Sequence, residues 1–335
     1  MIAEMPARET GTGSQAGEAG TVDIVYTWVD DTFPGYRDLL ARHAGTSHDT
    51  NPNRTRDNLD LLRYSLRSLD AHVPFARKVY LLSCRPQVPA WLDADHPDLV
   101  VVHHDEIMAP DILPTFNSFA IVSHLAKLPG LSSRFLYFED DMLAFSPLGL
   151  DHFLNGDGRM KAFLTRKPSP VLSELDPARA SPWNLAMATA NDLLVHRFGG
   201  GRRNYLAHGP QLIDKALFEE MCEVFAGAID TTRRSRFRAG SNVPPEYLYP
   251  HFAAATGHAV TAEPADIRRT MGYASLENWF VWTWAQLRRL EWEKPLAVTL
   301  NDSFGSTPNP RVVAHMRAVL ERWFPVPSRF EKPRG

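Results

Sequence analysis

Three consecutive acidic residues, Glu139, Asp140 and Asp141, offer the clearest chemistry in this sequence. They follow residues 135–138, an apolar run that predicts a buried strand. Ligands of open α/β sheets bind beyond the carboxyl ends of the strands. Adjacent carboxylates there repel each other unless a cation lies between them, so we expect a site for Mg²⁺ or Mn²⁺. The alternative is a solvated acidic turn or a helix N-terminus, which we would favour if no buried strand preceded the motif.

Asp30 ends the first predicted strand in the same way. The carboxyl ends of parallel strands meet at one edge of a sheet, so its side chain is expected to reach the cleft of Asp140 and Asp141. A strand-ending turn residue is an equal alternative on local evidence.

His208 is the candidate proton acceptor. It lies in a His-Gly-Pro sequence that follows Arg202 and Arg203 and precedes an amphipathic segment. The unperturbed pKa of histidine lies near neutrality, which suits an imidazole that takes the proton of an attacking hydroxyl. The chain contains 13 histidines, so a structural or exposed histidine is the alternative here.

Four arginines form a basic stretch between residues 233 and 238, beside Phe237. Guanidinium groups bind phosphate oxygens bidentately and stabilise the charge of a transferring phosphoryl group. A solvated basic loop is the alternative. Nucleic-acid binding is disfavoured because the formal net charge of the chain is −3.

The elements that would position these residues predict an α/β fold. Apolar runs at 22–29, 79–82, 99–103 and 135–138 indicate strands, and helical stripes follow residues 58 and 118. This alternation predicts a doubly wound, Rossmann-like sheet. The second half is expected to be more irregular and mostly helical, with one strand at 296–300, helices at 184–196, 211–225, 246–255 and 276–290, and a last helix after Asn309-Pro310.

A single catalytic domain is expected over residues 21–325, between a disordered tail at 1–20 and a C-terminal tail at 326–335. Within it, residues 21–150 would form the α/β core with the metal and donor site, and residues 151–325 the acceptor side. Two cysteines without C-x-x-C spacing argue against a thiolate zinc site and for a reduced, cytoplasmic protein. No apolar run approaches the roughly 18–20 residues that span a bilayer, so no transmembrane segment is expected. Any membrane-linked glycan would be reached by peripheral association at the inner face of the cell membrane.

Four separated blocks of the sequence resemble the Stealth family of sugar-phosphate transferases, in the family's order. The family includes bacterial capsule enzymes and the catalytic subunit of the lysosomal-enzyme GlcNAc-phosphotransferase. The blocks are residues 23–30, segments between 56 and 142, residues 207–210 with 236–238, and residues 300–302.

The resemblance implies a glycosyltransferase-A-like core and a defined reaction. An enzyme of this kind transfers a hexose-1-phosphate, such as GlcNAc-1-phosphate, from a UDP-sugar to a glycan hydroxyl and releases UMP, in capsule or exopolysaccharide synthesis. The implied partners are the UDP-sugar donor and a polysaccharide or lipid-linked glycan acceptor.

Positions within the blocks imply roles for individual residues. Asp141, His208 and Arg238 are the expected catalytic residues, and Glu139, Asp140 and Asp141 the expected metal ligands. The expected substrate-binding residues within the blocks are Asp30, Arg56, Asp57, Asn58, Asn117, Asn301 and Asp302. Arg203 lies outside the blocks and is expected to help Arg238 offset charge on the phosphoryl oxygens.

The sequence departs from the family pattern at several positions. Val122 stands where the family often has a Glu in a helix, and Glu139 stands where it has an Asn. Asp31 stands where the family usually has a Gly, and Gln211 where it has a second His near His208. The missing helix carboxylate leaves open a degenerate member that binds glycan or nucleotide sugar without catalysis. The other alternative is an ordinary metal-dependent glycosyltransferase, which attacks the sugar carbon and releases UDP.

Overall fold

The structure of the chain, a computed structural model, describes residues 21–51 and 56–333. The tail predicted for residues 1–20 lies outside these ranges. In chain order the strands are β1 Val22–Trp28, β2 Ala76–Ser83, β3 Leu99–His103, β4 Arg134–Glu139, β5 Met142–Ala144, β6 Met160–Ala162, β7 Leu164–Pro168, β8 Asn204–Leu206, β9 Gln211–Asp214, β10 Ala259–Thr261, β11 Met271–Leu276 and β12 Ala297–Asp302.

The helices range from single turns to seventeen residues. None in the described part of the chain combines the length and apolar character needed to cross a membrane. In chain order the α-helices are α1 Tyr36–His43, α2 Leu61–His72, α3 His104–Ile107, α4 Ser118–Val122, α5 Pro182–Phe198, α6 Lys215–Val224, α7 Ala226–Arg234, α8 Pro245–Ala255, α9 Pro264–Thr270, α10 Phe280–Glu293 and α11 Pro310–Trp323.

The core of the fold is a five-stranded sheet in the order β3-β2-β1-β4-β9. β1 pairs in parallel with β2 and β4, β2 pairs in parallel with β3, and β9 joins β4 antiparallel. β1 is buried along nearly its whole length, as expected for a strand covered on both faces. The predicted α/β fold with a mostly parallel sheet is confirmed.

The strand order changes direction between β1 and β4, which places a crevice beyond the carboxyl ends of these two strands. Thr27 near the end of β1 lies beside Glu139 at the end of β4. The residues that follow the two strands therefore emerge side by side.

Three smaller sheets complete the strand structure. β6 pairs with β10, β7 pairs with β8, and β12 pairs with β11 on one side and β5 on the other. β5 follows the acidic residues at the end of β4 and pairs antiparallel with β12. The second half is thus attached to the core at the acidic turn, and helices supply most of its regular structure, as predicted.

The sequence does not predict strands β5 to β11, and two helices begin later than expected. Residues 211–214 form β9, which pairs with β4, and α6 begins only at Lys215. Residues 271–276 form β11 beside β12, and α10 begins at Phe280. Short apolar runs fit a strand or a helix locally, so the available neighbouring strand decides between them.

The C-terminal segment 326–333 packs against the core, which corrects the predicted tail at 326–335. Phe330 is fully buried, and the Glu331 side chain forms ion pairs with Arg63 and Arg67 of α2. Arg67 is only 3% exposed, and its Nε lies 2.6 Å from Glu331 Oε1. Burial of the Phe330 ring and this ion pair hold the segment, and both depend on partners far away in the sequence.

Replacing Glu331 with Ala should lower the free energy of unfolding by about 3 kcal/mol, because the buried Arg67 loses its buried carboxylate partner. Urea denaturation followed by circular dichroism measures the change. Glu220→Ala is the matched control at an exposed position of α6, with an expected change under about 0.5 kcal/mol. A loss in Glu331→Ala no larger than in the control would contradict the ion-pair anchor.

Candidate active site

A cavity of about 540 Å³ opens beyond the carboxyl ends of β1 and β4. Its volume lies in the range of small-molecule sites. Most of the predicted site residues line it: Arg56, Asp57, Glu139, Asp140, Asp141, His208, Arg238, Asn301 and Asp302.

The acidic turn forms the centre of the cavity wall. Its backbone is held by β12, where Leu300 N donates a hydrogen bond to Asp141 O at 2.9 Å. The Asp141 Oδ1 atom is buried and has no hydrogen-bond partner among the described residues. A buried carboxylate oxygen left in this way is a ready ligand for a cation or a donor group.

Glu139, Asp141 and His208 form the carboxylate–histidine group. One ligand atom from each lies within 4.8 Å of the other two, which would allow them to share a metal ion. Among the described residues no other group of three acidic, histidine or cysteine side chains meets this condition. Asp140 lines the cavity but lies outside the group, so two of the three predicted metal ligands are brought together, with His208 as the third member.

His208 is oriented by contacts on three sides. Its Nε2 lies 3.1 Å from Glu139 Oε2, and its carbonyl accepts a hydrogen bond from Thr299 Oγ1 at 3.0 Å. Its ring stacks on Tyr273, with 6.0 Å between the ring centroids. Burial alone would lower the pKa of His208, but the carboxylates of Glu139 and Asp141 outweigh it and raise the pKa to about 9.

The carboxylates around the cavity disturb one another. Burial, with repulsion from Glu139 and Asp302, raises the pKa of Asp141 to about 7. Burial and the neighbouring carboxylates also raise the pKa of Asp140 well above its ordinary value. Burial opposes ionisation of Glu139 as well, but His208 outweighs it and lowers the pKa of Glu139. This concentration of buried carboxylates with an unpaired oxygen fits a divalent cation, whose charge would relieve the repulsion.

Arg238 is the one member of the predicted basic stretch that lines the cavity. Its guanidinium donates to the Ser118 hydroxyl and lies over the rings of Phe119 and Trp183, at 4.7 and 5.3 Å from their centroids. The other three arginines are engaged elsewhere, Arg233 with Ser123, Arg234 with Asp111 and Asp230, and Arg236 with the carbonyls of Leu113 and Pro114. These three arginines therefore do not line the cavity, and Arg238 is the member of the stretch that remains a candidate for phosphate binding.

Arg56 lines the cavity because Asp31 holds it there. Its Nε and Nη2 donate to the two carboxylate oxygens of Asp31 at 3.0 and 3.3 Å, and Asp31 is only 4% exposed. Sequence reasoning noted Asp31 only as a departure from the family pattern. Its position next to Asp30 was the available signal for a role at the site.

Asp57 and Asp302 lie close to the same wall. Asp57 Oδ1 accepts a hydrogen bond from Leu61 N, the first residue of α2, at 2.9 Å. Asn58 does not line the cavity, but its amide donates to Asp302 Oδ2 at 3.1 Å. Burial raises the pKa of Asp57 to about 7 and that of Asp302 to about 6.

The structure does not bring Asp30, Asn117 or Arg203 to the cavity wall. The Asp30 carboxylate accepts hydrogen bonds from the backbone N–H and the hydroxyl of Thr32. Asp30 is therefore a strand-ending turn residue, the alternative that the sequence left open. Arg203 donates to carbonyls at the end of α5. Asn117 is completely buried and its amide donates to carbonyls in residues 232–237 and to Asn242. Asn117 thus positions the segment that carries Arg238.

Sequence reasoning missed several further cavity residues, and Trp183 and Glu246 are two of them. Glu246 is only 9% exposed, and burial together with Glu139 raises its pKa to about 7. The only sequence feature that pointed to a role for Glu246 was its charge in the first turn of a helix that is otherwise mostly apolar.

Comparison with protein families matches two regions of the chain. Residues 54–162 match the family model described as Stealth protein CR2, conserved region 2, and residues 207–255 match Stealth protein CR3, conserved region 3. These regions contain the acidic turn, His208 and Arg238.

Curated relatives cover nearly the whole chain. Exopolysaccharide phosphotransferase SCO6023 of Streptomyces coelicolor is 35% identical over 326 residues, which are 93% of this chain and 52% of the relative. Capsular polysaccharide phosphotransferase SacB of Neisseria meningitidis serogroup A is 30% identical over 316 residues, 93% of this chain and 57% of the relative. The chain spans about half the length of the curated relatives it matches.

Solved structures similar to this chain include glycosyltransferases of low sequence identity. The galactosyltransferase LgtC, in complex with donor and acceptor sugar analogues, has a TM-score of 0.41 and 11% identity, covering 91% of this chain and 97% of its own. The bifunctional glycosyltransferase WbbM has a TM-score of 0.42 and 9% identity, covering 92% of this chain and 52% of its own.

Asp141→Asn should weaken the binding of a divalent cation about tenfold or more, because it removes a charged oxygen donor from the carboxylate–histidine group. Electron paramagnetic resonance of Mn²⁺ added to the purified chain gives the Kd. The control is Asp151→Asn, at a carboxylate that is 85% exposed, which should leave the Kd unchanged. Mn²⁺ affinities that are equal in wild type and Asp141→Asn would rule the site out.

Proposed function

This chain belongs to the Stealth protein family, and we propose that it is a polysaccharide phosphotransferase. In this proposal it transfers a hexose-1-phosphate, such as GlcNAc-1-phosphate, from a UDP-sugar to a hydroxyl of a polysaccharide or lipid-linked glycan and releases UMP. The biological setting would be capsule or exopolysaccharide synthesis in the cytoplasm, at the inner face of the cell membrane.

The observation that supports this proposal most is the composition of the cavity. It combines the carboxylate–histidine group with two arginines, Arg56 and Arg238, at the switch point of a mostly parallel sheet. Phosphoryl transfer depends chiefly on positioning and on electrostatic stabilisation of the phosphoryl oxygens. A cation site beside guanidinium groups and an imidazole supplies both.

Glu139 and Asp141 would hold Mg²⁺ or Mn²⁺, which these hard oxygen donors suit. The orphaned Asp141 Oδ1 is the atom that fits such an ion. When bound, the cation would offset the negative charge of the donor diphosphate.

His208 is proposed to take the proton of the acceptor hydroxyl. With its pKa raised to about 9 by Glu139 and Asp141, against the effect of burial, it is protonated at neutral pH. It can act as a base only when the charge of these carboxylates is compensated, because their attraction is what raises its pKa. Cation binding and proton acceptance are therefore coupled at this site.

Arg238 is proposed to stabilise charge on the transferred phosphoryl group. Its contacts, the Ser118 hydroxyl and the rings of Phe119 and Trp183, are neutral. These contacts do not offset its positive charge. Glu246 and Glu139 interact with it electrostatically but form no ion pair with it among the described residues, so the guanidinium is suited to phosphate oxygens. Arg56 also lines the cavity and would assist Arg238 in stabilising this charge, but the ion pair with Asp31 compensates part of the charge of Arg56.

The released nucleotide tests the proposed reaction. The purified chain, incubated with Mg²⁺, a panel of UDP-sugars and oligosaccharide acceptors, should release UMP, and phosphorus NMR of the product should show a phosphodiester. Release of UDP would instead identify a glycosyltransferase, and no release of either nucleotide would identify a binding protein.

Asp141→Asn should lower the rate of UMP release about a hundredfold or more, because the phosphoryl transfer loses the charge arrangement on which it depends. The same nucleotide assay measures the rate, and circular dichroism shows that the variant is folded. Asp151→Asn should retain the wild-type rate. Full activity of folded Asp141→Asn would remove Asp141 from the catalytic residues.

A further inference from the structure

Glu246 is a buried carboxylate in the cavity wall that the proposed chemistry does not use. It lies in the first turn of α8, is 9% exposed and lines the cavity. Its Oε2 is buried and has no hydrogen-bond partner within residues 21–51 and 56–333. Burying a polar atom without a partner is unfavourable, and more so for a charged group. Because Glu246 also lines the cavity, a ligand bound there that donates a hydrogen bond can supply the partner that the protein does not.

The start of α8 is fixed, so Glu246 has little freedom to find a partner elsewhere. Asn242 accepts a hydrogen bond from the buried Asn117 amide at 2.9 Å, and Val243 N donates to Thr232 Oγ1 at 2.9 Å. α8 is itself buried over most of its length. The backbone that carries Glu246 is therefore held in place before any ligand binds, which reduces the entropic cost of binding.

The neighbouring charged groups leave Glu246 free for a ligand. Arg238 interacts electrostatically with Glu246, but its guanidinium donates hydrogen bonds to Ser118. Glu246 also lies outside the carboxylate–histidine group, and within residues 21–51 and 56–333 it joins no second group of three acidic, histidine or cysteine side chains that could hold another cation.

Trp183 adds the second half of a recognition surface. It lines the same cavity, and the Arg238 guanidinium that lies over its ring is also an electrostatic neighbour of Glu246. A sugar presents a C–H face, which packs on aromatic rings, and hydroxyl groups, which donate hydrogen bonds to carboxylates. This pairing of a ring with a buried carboxyl group matches a sugar better than a phosphate, whose negative charge the ionised form of Glu246 would repel.

We propose that Glu246 binds a sugar, with its carboxyl group accepting a hydrogen bond from a sugar hydroxyl while Trp183 packs against the sugar ring. The inference rests on the proposed function, because the ligand is either the hexose of the UDP-sugar or a residue of the acceptor glycan. Glu246 is on this account a specificity residue, and His208 remains the proposed base.

The test compares wild type, Glu246→Gln and the matched surface control Glu220→Gln, all as the full chain. Calorimetry with Mg²⁺ gives Kd values for UDP, UDP-GlcNAc and UDP-glucose, and the UMP assay gives KM and kcat with the best oligosaccharide acceptor of the screen. In Glu246→Gln, UDP affinity and kcat should stay within about twofold. Either the UDP-sugar Kd or the acceptor KM should rise about tenfold, the loss expected for a hydrogen bond to a charged group. The melting temperature should not fall, because no protein partner is lost.

Each outcome decides the inference. If Glu246→Gln weakens only the binding of UDP-sugars, the hydroxyl that Glu246 binds belongs to the donor sugar. If the variant raises only the acceptor KM, the hydroxyl belongs to the acceptor glycan. Unchanged constants, an equal loss for UDP and UDP-sugar, or a fall in kcat alone would overturn the sugar-binding role. Wild type that binds UDP-sugars without releasing UMP contradicts only the proposed function, whereas wild type that binds no UDP-sugar or acceptor overturns both.

Discussion

The cavity depends on the antiparallel pairing of β5 with β12, immediately after the acidic turn that ends β4. Through this junction Leu300 N binds the Asp141 carbonyl and Thr299 Oγ1 binds the His208 carbonyl. One strand therefore holds an acidic residue of the core and a histidine of the second half in a common frame. Glu139 and His208 are 69 positions apart in the chain, and without this frame their contact would have no structural support.

This arrangement brings together ionisable side chains that are unfavourable to bury in their charged forms. Burial raises the pKa of Asp141, while the carboxylates raise that of His208, so protons and cations compete for the same oxygens. Buried carboxylates such as Asp141 and Glu246, each with an oxygen that lacks a protein partner, contribute little to stability. Local features of this kind are typical of binding sites, where a ligand supplies the missing partner.

A buried amide network positions the opposite part of the wall without touching the cavity. Asn117 caps α4 through Phe119 N and donates to carbonyls of the segment that ends at Arg238. Its bond to Asn242 extends the same support to the start of α8 and so to Glu246. The presence of Asn117 in a family block is thus explained by positioning, through Arg238 and Glu246, rather than by a place in the cavity wall.

The sequence by itself determined the core strands β1 and β4 and the acidic residues that follow them, because strand burial and polar strand ends are encoded in a few consecutive residues. It also identified His208 as a candidate, but the position of His208 beside Glu139 depends on β12. Only the tertiary structure decided which of four neighbouring arginines reaches the cavity, that Asp31 holds Arg56, and that Glu246 and Trp183 complete the wall. It also decided that the C-terminal segment is anchored by Glu331. The physical reason is common to all of these: a side chain's partner comes from a distant segment, and no local pattern of residues specifies which segment will lie beside it.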